Sequence, residues 1–269
     1  MDAASILARI TGPTRPRIPG RTVLVFAHPD DETLACGALL PRLEDVTIVH
    51  VTDGAPRNGE DARRRGFATP ADYAAARRNE LRAAMALAGV PGDRVTCLGV
   101  PDQGAAFALA EIARRLVPIL DGADVAVTHA YEGGHPDHDA VCWAVHGALG
   151  LVSAPRPALV EAPLYRLGPD GGWLRQTFAE EEGVAILRVT EAERELKRGM
   201  VAAHASQSRT LAHFTVSDEP FRLAPTPDFG SLPNGGALLY EQYGWGLTGG
   251  QWLELAADAA RALRQERAA

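Results

Sequence analysis

Short apolar runs alternate with longer helical segments along most of this chain of 269 residues. The apolar runs predict strands near residues 22–27, 46–51, 94–98, 123–128, 158–164 and 184–189. Helices are expected over about 33–43, 71–89, 105–120, 138–150, 190–205 and 252–267. A helix between two strands is the usual crossover connection of a parallel pair. We therefore predict an α/β fold, with a mostly parallel sheet and helices on both of its faces.

The chain shows no internal repeat and no clear boundary between two domains. Its length suits one large domain or two small ones, and we expect a single domain over residues 1–269. Residues 206–250 are rich in proline, glycine and aromatic side chains, which predicts irregular loops over the sheet edge. Those loops form either a substrate wall or a packed cap, and we expect the segment to shape a substrate pocket.

Composition and charge exclude several classes of protein. Apolar residues make up 46% of the chain and charged residues 23%, enough for a sizeable core. A net charge of -7 disfavours a general nucleic-acid surface. No segment has the apolar length of a membrane span or of a signal peptide, and none of the three cysteines forms a C-x-x-C pair. We expect a cytoplasmic protein with a small-molecule substrate, and neither a nucleic-acid nor a membrane partner.

Two clusters of polar residues follow predicted strands. The sequence AHPDDE at 27–32 comes directly after the apolar run 23–26, and HPDH at 135–138 follows the run 125–127. In an open α/β sheet, ligands bind at the carboxyl ends of the strands. The two clusters are therefore expected to meet at one edge of the sheet and to form one site.

The residue types in these clusters are those of a metal centre. Imidazole and carboxylate ligands suit zinc or ferrous iron, and we take His28, Asp31 and His138 as the candidate ligands. Three protein ligands leave a position open for water, whose pKa a bound zinc ion lowers to about 7. Asp30 projects from the same turn in another direction, so it is the candidate general base.

The second cluster has a helix-start pattern. Pro136 fits the first helical position, which makes His135 the cap residue and leaves it free to face the open side of the pocket. A protonated His135 would stabilise an oxyanion or protonate a leaving amine. Asp137 is the candidate partner that fixes an imidazole tautomer. Glu32 either interacts with the helix dipole or supports a neighbouring ligand.

Other interpretations of the clusters are surface turns, a ferrous oxygenase and a non-catalytic carbohydrate-binding protein. Surface turns would not place two such clusters at the ends of two parallel strands. A facial triad of two histidines and one carboxylate also serves ferrous oxygenases, but these use a β-barrel scaffold. Mere binding of a carbohydrate would not require Asp30 and His135 beside the three ligands.

The two motifs together resemble the PIG-L/LmbE family of metal-dependent N-deacetylases. The resemblance extends over roughly residues 20–208 through several further segments: Thr52-Asp53-Gly54, Arg77-x-x-Glu80, Ala88-Gly89-Val90, Leu98-Gly99-Val100-Pro101-Asp102, Lys197 and His204-x-Ser206-Gln207. It implies a Rossmann-like, LmbE-like fold and hydrolysis of an N-acetyl or other N-acyl group on an amino sugar or its conjugate. The expected cofactor is Zn2+, with Fe2+ or another divalent metal as alternatives.

The resemblance also assigns roles to particular residues. It implies His28, Asp31 and His138 as metal ligands and Asp30 as the base, with His135 stabilising the oxyanion. Further implied residues are Tyr131, which would polarise the carbonyl, and the sugar contacts Arg77 and Asp102, with an ion pair between Arg77 and Glu80 as the structural alternative. A mycothiol-type conjugate amidase is the alternative activity, disfavoured because Thr33-Leu34-Ala35 replaces a lysine expected there. Relatives occur as monomers and as larger assemblies, so a homo-oligomer stays open.

Overall fold

A seven-stranded sheet forms the centre of the molecule in the computed structural model, which describes residues 3–268 and the side chains of residues 3–266. Its strands are β1 Ile18–Phe26, β2 Leu43–Pro56, β3 Val95–Asp102, β4 Val125–His129, β5 Ala158–Ala162, β8 Ala185–Leu187 and β9 Glu219–Leu223. A separate antiparallel hairpin consists of β6 Tyr165–Leu167 and β7 Trp173–Arg175. The strand order in the sheet is β3-β2-β1-β4-β5-β9-β8, and the first five strands are parallel. The predicted mostly parallel α/β sheet is confirmed.

Helices cover both faces of this sheet. They are α1 Ala3–Thr11, α2 Asp31–Cys36, α3 Glu60–Arg64, α4 Pro70–Leu87, α5 Leu109–Leu120, α6 Pro136–Leu149, α7 Glu191–Ala203, α8 Ser208–Leu211, α9 Leu239–Gln242 and α10 Gly249–Ala268. Helices α5, α6 and α10 pack on one face, whereas α1, α2, α4 and α7 pack on the other. Alternate β1 residues serve the two cores, with Val23 and Val25 on one side and Leu24 and Phe26 on the other. None of the helices over residues 3–268 is both long and apolar enough to cross a membrane.

Helix α2 ends much earlier than the sequence predicts. The expected helix runs over 33–43, but α2 ends at Cys36, and only a short 3-10 turn follows at Leu40–Arg42. The amides of Ala38 and Leu39 donate to the buried carboxylate of Glu219, at 2.7 and 3.2 Å, instead of continuing the helix. This partner lies far along the chain, so local sequence gives no sign of it.

The segment 206–250 is more regular than expected, because it contains β9 as well as α8 and α9. Strand β9 lies between β5 and β8 and pairs with both in antiparallel fashion. Pro220 interrupts the apolar pattern of this strand, and a proline within a run argues against a central strand. That is why the sequence pattern did not predict β9.

The sheet order reverses between β1 and β4, which are neighbours in the sheet although β2 and β3 lie between them in sequence. At such a switch point the connections leave in opposite directions, and a crevice opens at the carboxyl ends of the two strands. Both polar clusters follow these strands, at residues 27–32 and 135–138. The fold thus brings together two segments about a hundred residues apart.

Candidate metal centre and active site

Three candidate ligand atoms form a nearly equilateral triangle at this crevice. The Nδ1 atom of His28 lies 3.3 Å from Asp31 Oδ2 and 3.3 Å from His138 Nε2, and the third edge, from His138 Nε2 to Asp31 Oδ2, is 3.4 Å. Ligand atoms about 2.0–2.2 Å from one tetrahedral ion lie about 3.3–3.6 Å from one another. All three side chains are buried. The donor set and the size of the triangle therefore fit a zinc-sized divalent ion.

The distal nitrogen of His28 faces two carboxylates. His28 Nε2 lies 3.3 Å from Asp137 Oδ2 and 3.2 Å from Asp102 Oδ1. A proton on Nε2 donates to Asp137 Oδ2 and leaves the lone pair of Nδ1 directed at the triangle. Burial would by itself raise the pKa of Asp102, but the nearby His28 outweighs it and lowers that pKa. Asp137 thus lies where the sequence analysis expected a partner that fixes a tautomer, and Asp102, expected to contact sugar, is beside the same ring.

His129 lies next to the triangle but is a poor ligand. Its ring stacks on His138 at a centroid distance of 4.1 Å, and its Nε2 lies 3.4 Å from Asp31 Oδ2. The amide of Ala27 donates to that same Nε2 at 2.8 Å. Because the lone pair of Nε2 is already used, His129 instead supports the packing of His138.

Asp30 occupies an unusual backbone conformation, with φ 139° and ψ -21°. Residues other than glycine rarely adopt this backbone conformation, and the strain persists only where surrounding contacts hold the residue in place. Here Arg77 of α4 donates from Nη2 to Asp30 Oδ2 and to Pro29 O, both at 2.9 Å. Burial raises the pKa of Asp30 to about 7, although Arg77 acts in the opposite direction. A carboxyl group with such a pKa suits proton transfer near neutral pH.

Arg77 contacts protein groups through both of its terminal nitrogens. Its Nη1 donates to Gly54 O at 2.6 Å, and Gly54 has φ +69°, where a Cβ atom would overlap with the guanidinium. The structural alternative, an ion pair with Glu80, is wrong, because Glu80 accepts from the amide and hydroxyl of Ser206. The structure places Arg77 at the cavity wall as the partner of Asp30.

Glu32 lies beneath the turn and supports Asp30. One carboxylate oxygen accepts from the Asp30 amide at 3.1 Å and lies 2.8 Å from His50 Nε2, while the other accepts from Thr33 Oγ1 at 2.6 Å. Burial would by itself raise the pKa of Glu32, but its hydrogen bonds with His50 and Thr33 lower it. Of the two roles considered for Glu32, the structure favours support of its neighbours.

His135 caps α6 and faces the cavity. Its Nδ1 accepts from the amide of Asp137 at 3.1 Å, so the proton of the neutral ring lies on Nε2. Burial lowers the pKa of His135 to about 3, and the neighbouring His28 adds to this effect. The expected protonated imidazole is therefore disfavoured in this environment. A neutral ring still offers one Nε2–H donor.

Tyr131 does not line the cavity, contrary to its predicted role. Its hydroxyl donates to Ser231 O at 3.0 Å and accepts from Trp252 Nε1 at 2.6 Å. Its ring packs against Phe229 and Trp252. The hydroxyl thus uses both its donor and its acceptor in contacts that hold α10 in place. This placement does not support polarisation of a carbonyl by Tyr131.

Aromatic residues that the sequence analysis did not select line a cavity of about 270 Å3 over the triangle. Tyr165 lies nearest, with its ring centroid 5.1 Å from that of His138, and Trp245 lies 5.1 Å from His135. Tyr165 is positioned by Glu132, whose carboxylate accepts from the Leu164 and Tyr165 amides. The only sequence signal for this aromatic lining was the aromatic content of residues 206–250. That segment includes Trp245 but not Tyr165.

The fold and the buried cluster define an α/β protein with a candidate metal centre at its topological switch point. Residues 23–149 match the PIG-L family model, described as GlcNAc-PI de-N-acetylase. This match confirms the family resemblance predicted from the motifs over these residues. No curated protein sequence matches the chain.

Several solved structures share the fold at low sequence identity. A deacetylase–teicoplanin complex from the teicoplanin pathway has a TM-score of 0.58 and 19% identity, covering 77% of this chain and 100% of its own. The zinc-inhibited form of teicoplanin deacetylase has a TM-score of 0.56 and 18% identity, with coverages of 75% and 97%. The N,N'-diacetylchitobiose deacetylase from Pyrococcus horikoshii has a TM-score of 0.51 and 18% identity, with coverages of 77% and 84%. These likenesses show the LmbE-like α/β fold.

Proposed function

We propose that this protein is a zinc-dependent N-deacetylase that removes an N-acetyl group from an amino sugar or an amino-sugar conjugate. The ligand triangle of His28, Asp31 and His138 carries the proposal, since its three edges of 3.3, 3.3 and 3.4 Å suit one tetrahedral ion. The PIG-L match over residues 23–149 supports the reaction type. Neighbours named as deacetylases of teicoplanin and of N,N'-diacetylchitobiose support a sugar-linked N-acetyl group.

The residues around the triangle have separate tasks in this reaction. A bound zinc ion would supply Lewis-acid polarisation of the amide carbonyl and a water of lowered pKa. Asp30 accepts the proton of the attacking water, held in place by Arg77 and by the contact of Glu32 with its amide. The Nε2–H group of His135 donates to the oxygen of the tetrahedral intermediate. Asp30 then returns its proton to the nitrogen as the C–N bond breaks, which yields acetate and a free amine.

We also infer that the chain forms a single domain whose segment 206–250 shapes the pocket. Strands β8 and β9, from the second half of the chain, extend the same sheet that carries the candidate centre. Gln207, Thr210, Phe214 and Trp245 of this segment line the cavity.

Acetate release tests the proposed reaction. The protein is incubated with a panel of N-acetylated amino sugars and glycosides, with added zinc and with a chelator, and acetate and oxygen consumption are measured. We expect acetate release that the chelator abolishes and zinc restores, without oxygen uptake. Oxygen consumption would favour a ferrous oxygenase, and inactivity against the whole panel with metal bound would favour a non-catalytic binding protein.

Substitution of the proposed base provides the residue-level test. Asp30→Asn keeps the size of the side chain but removes its proton acceptor, so we expect kcat to fall at least about a hundredfold. The zinc content of the purified variant should stay at the wild-type level, because Asp30 is not one of the three proposed ligands. Full activity in a variant that has bound zinc would contradict the assigned base.

A further inference from the structure

We propose that a cleft between α6 and α10 binds a small amphipathic carboxylate, with an alkyl chain lying along the helices and the charged head at His146 and Arg264. We call it the α6–α10 cleft. It is separate from the candidate metal centre, because none of the described residues lines both this cleft and the cavity over the ligand triangle. The inference therefore does not rest on the proposed reaction.

The α6–α10 cleft is large and enclosed on three sides. Its walls are α6 with the residues just after it, α10, and the loop between β9 and α9, which contributes Phe229. Its volume is about 610 Å3, against about 270 Å3 for the cavity over the triangle. Pockets that bind small molecules have volumes of about 300–1,000 Å3. The cleft is thus large enough for a small organic ligand.

Small residues on the two facing helices leave this space open. Gly147 of α6 and Ala256, Ala257 and Ala260 of α10 all line the cleft. The lining of α10 extends from Leu253 to Arg264, which corresponds to about 16 Å along a helix axis. A space of this length between two helices suits an extended chain better than a compact ring system.

Most of the lining is apolar, and one polar atom in it has no partner. His146 Nε2 is buried and forms no hydrogen bond with any group of residues 3–266. The His146 ring is held edge-on to Phe229 at a centroid distance of 5.6 Å. A buried polar atom without a partner is costly and calls for a bound group that satisfies it.

His146 is a neutral hydrogen-bonding group at physiological pH. Burial lowers the pKa of His146 to about 4. A neutral imidazole carries a proton on one nitrogen, so His146 can donate from Nε2 to an oxygen atom in the cleft.

Arg264 supplies a positive charge that no carboxylate of the described residues neutralises. It is the one charged side chain among the described residues that line the cleft. The acidic residues nearest to it in sequence, Asp258 and Glu266, pair with Arg261 and Arg114 instead. A guanidinium group matches the geometry of a carboxylate, so an anionic head on the ligand would complement this charge.

His146 and Arg264 belong to helix turns that lie against each other. A Cβ atom on Gly147 would lie 3.1 Å from Leu263 Cδ1. Gly147 follows His146 and Leu263 precedes Arg264, so one carboxylate can accept from both side chains. An alcohol would satisfy Nε2 but would leave the charge of Arg264 without a partner.

Calorimetric titration with octanoate, butyrate and 1-octanol tests the proposal. We expect saturable binding of one octanoate per chain. Butyrate should bind at least about a hundredfold more weakly, because each buried CH2 group contributes about fourfold to the affinity. A cleft that holds water alone would give no saturable binding of octanoate, and this result would overturn the proposal.

Variants of the polar groups test where the head of the ligand lies. Arg264→Gln should weaken octanoate binding at least about threefold and leave 1-octanol binding unchanged. His146→Phe keeps a flat ring without its nitrogens and should weaken the binding of both ligands. Arg261→Gln, on the same helix but outside the cleft, is the matched control and should equal the wild type. Equal affinities for octanoate in Arg264→Gln and in the wild type would contradict the assigned head group.

A third variant tests whether the ligand lies in the α6–α10 cleft at all. Ala257→Trp places a large side chain at an exposed position of its wall and should abolish octanoate binding, with circular dichroism and Tm checking the fold. Unchanged binding in a folded Ala257→Trp protein would place the ligand elsewhere, for instance at the candidate metal centre, and would overturn the proposal. A dimer that Ala257→Trp disrupts, without octanoate binding in the wild type, would overturn it in favour of a second copy of the chain; size-exclusion chromatography detects this case.

Discussion

At the scale of single residues, the turn at Asp30 shows how the fold holds a strained side chain in a chosen orientation. Arg77 fixes its carboxylate from one side, and Glu32 accepts from its amide on the other. Glu32 is held in turn by the fully buried His50. Hydrogen bonds from buried charged groups such as these hold a strained backbone in one conformation. The net contribution of each group to the free energy of unfolding does not reveal this effect.

We expect Glu32→Gln to lower kcat about tenfold with little change in KM. The amide cannot accept from the Asp30 backbone, from His50 and from Thr33 in the way a carboxylate does, so the orientation of Asp30 becomes less well defined. Steady-state kinetics together with zinc content measure the effect. Glu60→Gln, at an exposed glutamate, is the matched control. An equal loss of zinc and of activity would instead indicate damage to the metal centre.

Tyr131→Phe should change kcat less than about twofold, because the Tyr131 hydroxyl bonds to Ser231 and Trp252 outside the cavity. Its loss leaves the Trp252 indole without an acceptor and should lower the free energy of unfolding by about 1–3 kcal/mol. Denaturant titration and kinetics on one preparation check both values. A large fall in kcat with unchanged stability would restore the role predicted from the family resemblance.

At the scale of elements, a buried ion pair ties three of them together behind the candidate site. Lys197 of α7 donates to Glu219 of β9 at 2.7 Å and to Leu34 O of α2 at 2.8 Å, and both charged side chains are fully buried. Burial raises the pKa of Glu219, whereas Lys197 acts in the opposite direction. The pair sets where α2 ends, and α2 carries Asp31.

We expect Lys197→Met to lower the free energy of unfolding by about 3–5 kcal/mol, since it leaves the buried Glu219 carboxylate without its counter-charge. Arg198→Met, on the exposed face of the same helix, should change the free energy of unfolding far less, because solvent screens its ion pair with Glu191. Urea denaturation of the two variants measures the difference. Similar values for both would mean that the buried pair contributes no more than a surface pair.

At the scale of the whole molecule, the candidate centre joins two segments that are distant in sequence and follow neighbouring strands of the sheet. His28 and Asp31 follow β1, and His138 follows β4, so an ion at the triangle would link residues about a hundred positions apart. Binding to the folded state alone stabilises it by mass action.

Zinc at about a thousand times its Kd should therefore add about 4 kcal/mol to the free energy of unfolding and raise Tm by roughly 10 °C. Thermal unfolding with zinc and with a chelator measures the shift. His138→Ala removes one of the three ligand atoms and should abolish the shift. Identical Tm values for the wild type in both solutions would contradict a folded-state metal site at this place.

Sequence alone predicted the parallel sheet and the meeting of the two clusters, since both follow from periodicity and from the positions of strand ends. The periodic pattern is a property of neighbouring residues, and the carboxyl ends of parallel strands share one edge.

The surroundings of Arg77 and Asp102 could not be predicted in this way. The family resemblance implied that both residues contact sugar. In the structure, Arg77 donates to Asp30, Pro29 and Gly54, and Asp102 lies beside His28.

Tertiary structure alone decided the end of α2, the insertion of β9 and the aromatic residues that line the cavity. Each depends on a partner that is distant in sequence: Glu219 for the amides after α2, β5 and β8 for β9, and Glu132 for Tyr165. Local propensity carries no record of such partners, because burial and hydrogen bonds between distant segments arise only once the chain has packed. The sequence therefore determined which residue types meet at the site, and the packing of its later segments decided which groups surround them.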